Sequence, residues 1–593
     1  VSFFAELKRR NVLKVGAAYL VVAWLLIQVI ATLAPQLQLP TWVPRLVTLL
    51  LLAGFPVTLL MAWFLEHTDQ GLRIDPAPVG SKRMVAVAVA LAALALGWYW
   101  RGRSDTGDAT TGARTIAVLP FVNMSGDPQY EYFSDGISEE ILNVLARTPE
   151  LRVAARTSSF AFKGKSQDIP DIARELKVRL VLEGSVRRQG DRVRITAQLI
   201  DATSGFHAWS QTYDRELADI FAIQDEIARA IGDELKVRIV GVAEGAVAPA
   251  TAANLAAYDA YLRGLALWQT RDPDALLEAV GVFQQAISAD PGHAPAYAGL
   301  ALTYTVVADY TTRISSPDAQ RLAAEAAEMA LALDPALPET YAAMGNVAGV
   351  SGRRHAATAL YRRAIALRPS FATAHQWLGT QLMSNGEPDA ALAASTRAAQ
   401  LDPRSRVVGQ NLSVVLLTLG RYADARAECE RILSLYPDYG DCLLQGGFAA
   451  LLAGDVDAAR ARFLRLAEVK GDREAAVLAE SVLAGVQGQG DRAGPARRLA
   501  AYESMSHRAP GSGTIFSGME TPSLLVLLRE PELALDYLER IARERSHSPE
   551  WPFMVPALDP IRCDPRFVAA LHSLGATDPR AARVCATTTG GAP

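Results

Sequence analysis

Residues 335–369, PALPETYAAMGNVAGVSGRRHAATALYRRAIALRP, and residues 369–403, PSFATAHQWLGTQLMSNGEPDAALAASTRAAQLDP, decide the fold. Pro335, Pro369, Pro403 and Pro437 stand 34 residues apart. Each closes a run of apolar residues at helical spacing, as a residue without a backbone N–H does. A fixed period of this length marks a repeated helix-turn-helix that cannot bury its own apolar face, so the units must stack. Stacking builds a long concave surface, and holding a partner is the function such a surface suggests.

The register repeats inside the units. Gly345, Gly379 and Gly447 fall where two helices cross closely, Ala357, Ala391 and Ala425 at one packing position, and Ala364 and Ala398 at another. Tyr361 fills the aromatic slot between them. This pattern resembles the tetratricopeptide family. An upstream unit ends at Pro291, with Ala279, Phe283 and Ala286 in register, but Pro335 follows after 44 residues, which places an insertion near Asp309–Asp318. Gly471, with Ala459 and Phe463, continues the array, which blurs after Val486 and ends on an expected capping helix at Pro565–Leu574. The reading is six to seven repeats over residues 255–575. In tetratricopeptide arrays the first helix of each unit lines the concave face. The resemblance therefore implies a partner groove at Asn346, Gln376, Trp377, Thr380, Gln410, Asn411, Gln445 and Phe448. Its amides suit the backbone of an extended protein or peptide partner, and its two aromatics offer apolar pockets.

With 59 basic against 63 acidic residues, no net field attracts nucleic acid. The chain of 593 residues is too long for one core. Its mean hydropathy of +0.12 comes from the first hundred residues. After a basic amphipathic amino terminus at 1–14, three apolar stretches at 15–34, 46–65 and 84–100 read as transmembrane helices. Lys8, Arg9, Arg10, Lys14, Arg73, Lys82 and Arg83 on one side, against Arg45, Arg101 and Arg103 on the other, orient the amino terminus inward. That predicts a multi-pass inner-membrane protein contacting the lipid bilayer, with its large carboxy-terminal region in the periplasm.

A linker at 101–113 precedes a region where the apolar period shifts toward 2. The pattern predicts strands at Ile116–Phe121 and Leu151–Ala155, helices at Tyr132–Ala146, Ile169–Leu176 and Ile220–Val237, and a hairpin of Leu180–Arg188 with Val193–Asp201 turned at Gly190-Asp191. This is a small α/β domain over 114–240. The stretches IAVLPFVNMSGDPQYEYFSDGISEEI, RTSSFAFKGKS and VLEGSVRRQGDRVRITAQLIDATSGFHAWSQTYDREL resemble the amino-terminal domain of TolB and its FlgO-like relatives. With the opening FFAELKRRNV and the repeats, the chain resembles a group of bacterial integral membrane proteins. In relatives of that group the same module is joined to a nucleotide cyclase or a winged-helix domain. A second linker at 241–254 leads into the repeats, and a tail at 576–593 reads as disordered.

Chemical motifs are sparse. Gly164-Lys165-Ser166 ends like a phosphate loop, but Ser159 stands where the first glycine is needed. Gly488-Gln489-Gly490 with Gly494 has no strand before it and reads as a loop. His293, His355 and His375 fall one to a repeat without partners at ligand spacing. Glu139 and Glu140 read as carboxylates at a helix start. Among Cys429, Cys442, Cys563 and Cys585, the pairing Cys429–Cys442 is weighed evenly against two free buried thiols, ahead of Cys563–Cys585. No catalytic, cofactor or metal site is expected, and the chain reads as non-enzymatic. Two readings follow: a membrane-anchored, periplasm-facing adaptor that grips protein partners in the solenoid groove, or a sensory subunit whose TolB-like domain binds a ligand and signals through a separate cytoplasmic partner. Self-association is left open.

Overall fold

The two periodicities build two kinds of architecture in one chain. A computed structural model describes residues 115–148, 150–235, 251–311, 313–489, 491–506, 520–544 and 554–573, with scattered positions between 14 and 74 and between 578 and 585. The chain divides into two compact units, Val1–Thr111 and Gly112–Pro593.

In the first unit, Tyr19 donates a hydrogen bond to the Leu51 carbonyl at 2.7 Å. Strands β1 (Leu65–Thr68) and β2 (Gly71–Ile74) form an antiparallel hairpin. The three transmembrane helices expected at 15–34, 46–65 and 84–100 are corrected here, and with them the multi-pass inner-membrane, periplasm-facing arrangement and the bilayer contact. Among the described residues no helix is long and apolar enough to cross a membrane. Hydropathy counts side chains, whereas crossing needs an unbroken helix of about 20 residues. The apolar window at 46–65 ends in a strand, since Leu65 belongs to β1. The segment 84–100, most of 46–65, both linkers except residues 251–254, and residues 1–13 lie outside the described residues.

The second unit opens with a six-stranded sheet of β3 (Thr115–Val118), β4 (Val122–Asn123), β5 (Arg152–Val153), β6 (Leu180–Gln189), β7 (Arg192–Asp201) and β8 (Phe206–Glu216). Its order is β5–β3–β6–β7–β8, with β4 also paired to β6. β3 runs parallel to β5 and β6, and β6–β7–β8 form an antiparallel meander with Leu182 opposite Leu199. Alternation along β3 and β6 separates two faces. Ile116, Val118, Leu180 and Leu182 pack with helices α1 (Glu131–Ala146) and α4 (Ile220–Leu235). Ala117, Leu119 and Val181 pack with α3 (Ile169–Leu176) and with Phe162, just beyond the short α2 (Arg156–Phe160). The hairpin turns at Gly190, whose φ of 59° favours glycine. Strand β8 and helix α2 were not expected from the pattern. In β8 only Tyr213 is buried and Phe206 is 76% exposed, so no apolar alternation marks it.

The solenoid follows as helix pairs: α5 (Ala252–Thr270) with α6 (Pro273–Ala289), α7 (Ala294–Tyr310) with α8 (Ser316–Leu333), and α9 (Pro338–Val350) with α10 (Arg354–Leu367). Then come α11 (Ala372–Ser384) with α12 (Pro388–Leu401), α13 (Arg406–Thr418) with α14 (Tyr422–Leu435), and α15 (Gly440–Leu452) with α16 (Val456–Lys470). The less regular end holds α17 (Arg473–Val486), α18 (Ala493–Ser506), α19 (Glu520–Leu527), α20 (Pro531–Glu544) and α21 (Pro565–Ser573). Each period-marking proline lies two residues past the second helix of its unit. The insertion is absorbed mainly by lengthening: α7 and α8 have 17 and 18 residues, whereas α9 and α10 have 13 and 14.

Close crossings explain the small residues. A Cβ on Gly345 would lie 2.6 Å from the Tyr361 ring, and one on Gly447 would lie 2.6 Å from Phe463. A second set of glycines, unremarked in the sequence reading, carries the same period. Gly352, Gly386, Gly420, Gly454 and Gly488 turn between first and second helices with φ of 75°, 80°, 75°, 86° and 78°. The apparent dinucleotide fingerprint at Gly488 is thus the fifth of these turns.

The array is closed by its carboxy-terminal segment. Arg562, 0% exposed, pairs with Asp559 and Asp578 and donates to the Val555 carbonyl. Cys563 and Cys585 form a disulfide. The tail expected to be disordered therefore carries at least one buried ion pair and a cross-link. Cys429 and Cys442 are free and buried, the second of the two readings weighed for them. They sit with Ile432 in a small apolar cluster, where Cys429 donates to Ser413 Oγ at 3.1 Å.

Candidate binding cavity

The α/β domain is seated along the first helices of the solenoid. Packing begins where α1 crosses α5: a Cβ on Gly136 would lie 2.7 Å from Leu262. Ile137 and Ile141 share one apolar cluster with Tyr258, Tyr261 and Leu262. Polar contacts rim this core. Tyr132 donates to Asp259 at 2.7 Å and Arg188 pairs with the same carboxylate at 2.6 Å. Gln224 donates to the Tyr258 hydroxyl at 2.6 Å. Farther along, Arg368 donates to Asn143 at 2.8 Å, and the Ala155 N–H donates to the Leu401 carbonyl at 3.2 Å. Ser158 donates to Asp402 at 2.5 Å and accepts from the Arg404 N–H at 3.0 Å, while Arg404 also pairs with Glu175.

Between these contacts lies a cavity of about 520 Å³, within the range typical of small-molecule sites. Its walls come from α1, from α2 and the residue before it, and from the first helices of five successive units. Tyr261, Trp268, Phe371 and Trp377 supply aromatic surface, and Glu139, Glu140, Arg156, Arg271 and Arg368 supply charge. Glu139 and Glu140 lie in the middle of α1, not at its start, because the helix begins at Glu131. Glu139 pairs with Arg156 at 2.7 Å, and Glu339 pairs with Arg368 at 2.6 Å. Glu140 accepts from neutral donors, from Tyr261 at 3.3 Å and from Asn143 at 3.4 Å. Burial, with repulsion from Glu139 next, pushes its pKa up to about 7. Burial likewise lifts Asp402 to about 6, against the hydrogen bonds of Ser158 and Thr157.

Arg271 is the unusual cation. Its guanidinium stacks 3.8 Å from the Trp268 ring, and burial pushes its pKa down to about 10. Its Nη1 and the Trp268 Nε1 are buried and have no hydrogen-bond partner among the described residues.

The residues read as a groove disperse. Gln376 and Trp377 line the cavity, Trp377 meeting Tyr361 edge-on at 6.2 Å. Asn346 is half-buried and accepts from Gln320 at 3.5 Å. Asn411 donates to Thr380 at 3.1 Å, tying α13 to α11, and Gln410 beside it is half-buried. Gln445 is buried and Phe448 lies in the solenoid core. His293 caps α7, accepting from the Ala296 N–H at 3.2 Å, and His375 meets the Pro369 carbonyl at 3.1 Å. Arg271, Trp268, Arg368 and Asp402 were missed, and Glu139 was read only as a helix-start carboxylate. One signal was present: Arg368 stands before a repeat proline where Asp290, Asp334 and Asp402 stand in other units.

The fold thus defines a tetratricopeptide array joined to a small α/β domain. The family model for the tetratricopeptide repeat matches residues 382–439. The chain is 46% identical over 188 residues to a protein of Rhizobium meliloti (strain 1021) named "Putative adenylate cyclase 3". That match covers 32% of this chain and 32% of the other, so the chain spans about a third of the length of this curated relative. The expectation of a chain without enzymatic character is corrected by this similarity. A relationship spread over 188 residues escapes a search for short catalytic motifs. Among solved structures, the chain is similar to PilF of Pseudomonas aeruginosa at 20% identity, over 38% of this chain and 97% of that one, with a TM-score of 0.30. It is also similar to a tetratricopeptide protein of Thermus thermophilus at 21% identity, over 33% of this chain and 100% of that one, with a TM-score of 0.29. Values this low carry no argument about function.

Proposed function

We propose that this chain is a protein-binding scaffold of nucleotide-cyclase-linked signalling. The α/β domain, which we read as TolB-like, occupies the front of the first-helix face, and a protein partner is gripped farther along it, around Gln410. The observation that supports the reading is the continuous row of first helices from α5 to α15, of which, among the described residues, the front meets the α/β domain. The similarity to a protein named as a cyclase supports the signalling context. Tetratricopeptide faces hold extended or helical segments, with a few anchors carrying most of the affinity. A photo-reactive residue placed at Gln410 should cross-link to a discrete protein, identified as a nucleotide cyclase or a regulator of one. The same residue at Glu325, exposed on α8, serves as the control. Equal products from both positions, or none from Gln410, would sink the reading.

A further inference from the structure

We propose that the cavity between the α/β domain and the solenoid is a binding site for a small organic anion, whose carboxylate or phosphate is received by Arg271 and Trp268. The argument begins with two buried donors. The Trp268 indole N–H and the Arg271 Nη1 have no acceptor among the described residues, and both groups can only donate. A buried donor left unpaired is unfavourable, and a buried cation without a counter-charge more so, which is why such groups are ordinarily satisfied. Both residues line the cavity and their side chains touch, the guanidinium carbon 3.8 Å from the indole ring centroid, so an acceptor group held at this wall lies beside both side chains. That acceptor has to be anionic to compensate the guanidinium, whose planar fork suits carboxylate and phosphate oxygens.

The rest of the wall agrees. Arg156 and Arg368 are each bound to a carboxylate, at 2.7 and 2.6 Å, so Glu139 and Glu339 are neutralised and do not oppose an anion. Burial raises Glu140 to a pKa of about 7, so it is only partly ionised at neutral pH. A cavity of about 520 Å³ admits more than a bare ion, and the faces of Tyr261, Phe371 and Trp377 offer stacking surface for a planar organic portion. The site depends on the junction geometry alone and not on the partner proposed at Gln410, so either proposal can fail without the other.

Benzoate, phenyl phosphate and neutral benzamide, titrated into the full chain by calorimetry and followed by tryptophan fluorescence, test it. At least one of the two anions should bind while benzamide does not. Preference for benzoate identifies a carboxylate ligand, and preference for phenyl phosphate a phosphate ligand. Arg271→Gln should weaken that binding at least tenfold without lowering the melting temperature of the unliganded chain, because the variant removes a cation that pairs with no carboxylate among the described residues. Trp268→Phe, which deletes one donor and keeps the ring, should weaken binding several-fold and guards against misfolding of the first variant. The proposal is overturned if neither anion binds more tightly than about 10 mM, if benzamide binds as well as the anions, or if Arg271→Gln binds undiminished.

Discussion

The front and rear of the solenoid solve the same packing problem with different means. From α5 to α11 the core is shared: one apolar cluster runs from Ile116 of the sheet through Ile141 and Tyr258 to Ala374. From α11 onward the helices pack on one another and on the carboxy-terminal segment, in a cluster that reaches Phe567 and Leu571. The front is rimmed by buried or half-buried charge at Glu139, Glu140, Arg368 and Asp402. The rear closes on Phe463, the Arg562 ion pairs and the Cys563–Cys585 bond. Identical repeat geometry thus leaves the choice of neighbour open, and the neighbour decides whether a face is apolar and inert or polar and responsive.

The largest expected effect sharpens the rear side of this contrast. Phe463 is fully buried against Gly447, and Phe463→Ala should cost about 3–5 kcal/mol, read by denaturant unfolding, with no dependence on pH between 5 and 8. A pH-dependent loss would erase the distinction.

A smaller effect of opposite sign belongs to the front. Glu140 titrates at about 7 in the folded chain against an ordinary value of 4.5. Below about 4.5 it is protonated whether folded or not and imposes no penalty. As pH rises toward 7 the unfolded chain ionises freely while the folded chain resists, so stability falls, and the loss is complete above about 7. The groups facing it are Glu139, Arg147 and Asn143 on α1 or just past its end, Tyr258 and Tyr261 on α5, and Glu339 on α9. Glu140→Gln should therefore stabilise the chain at pH 8 by roughly 1–3 kcal/mol and leave it nearly unchanged at pH 4.5. Equal stabilisation at both pH values would show that the front is no more responsive than the rear.

The smallest effect tests the far end of the junction. Ser158→Ala removes the hydroxyl that binds Asp402 and the Arg404 N–H, and should cost about 1–2 kcal/mol. Proteolysis of the α/β domain should accelerate with it, and unaltered stability and cleavage would mean that the contact holds nothing.

Much of the architecture was legible because it rests on local rules. The helix expected at Ile169–Leu176 forms over those residues, and the hairpin turns at Gly190 as expected. The repeat prolines fall where helices end, although the turn glycines from Gly352 to Gly488 carried an equally regular signal that went unused. The junction was not legible. Glu140 and Tyr261 are 121 residues apart, and Ser158 and Asp402 are 244 apart, and no periodicity links such positions. Likewise the cysteines: nearness in sequence offered both Cys429–Cys442 and Cys563–Cys585, and a tail read as disordered set the second behind the first, yet the bond forms there while Cys429 and Cys442 stay free thiols in an apolar cluster. The apolar windows near the amino terminus misled for a related reason, since hydropathy alone does not specify a continuous helix.

Because the α/β domain grips the array at Asp259 in the first helix pair and again at Asp402, ahead of the fifth, it behaves as a strut lashed along a spring. In a free solenoid each interface adds its own small bend, and the errors accumulate from unit to unit. Fixing two distant coils to one rigid body sets the pitch of everything between them, and compliance is passed to the coils beyond Asp402.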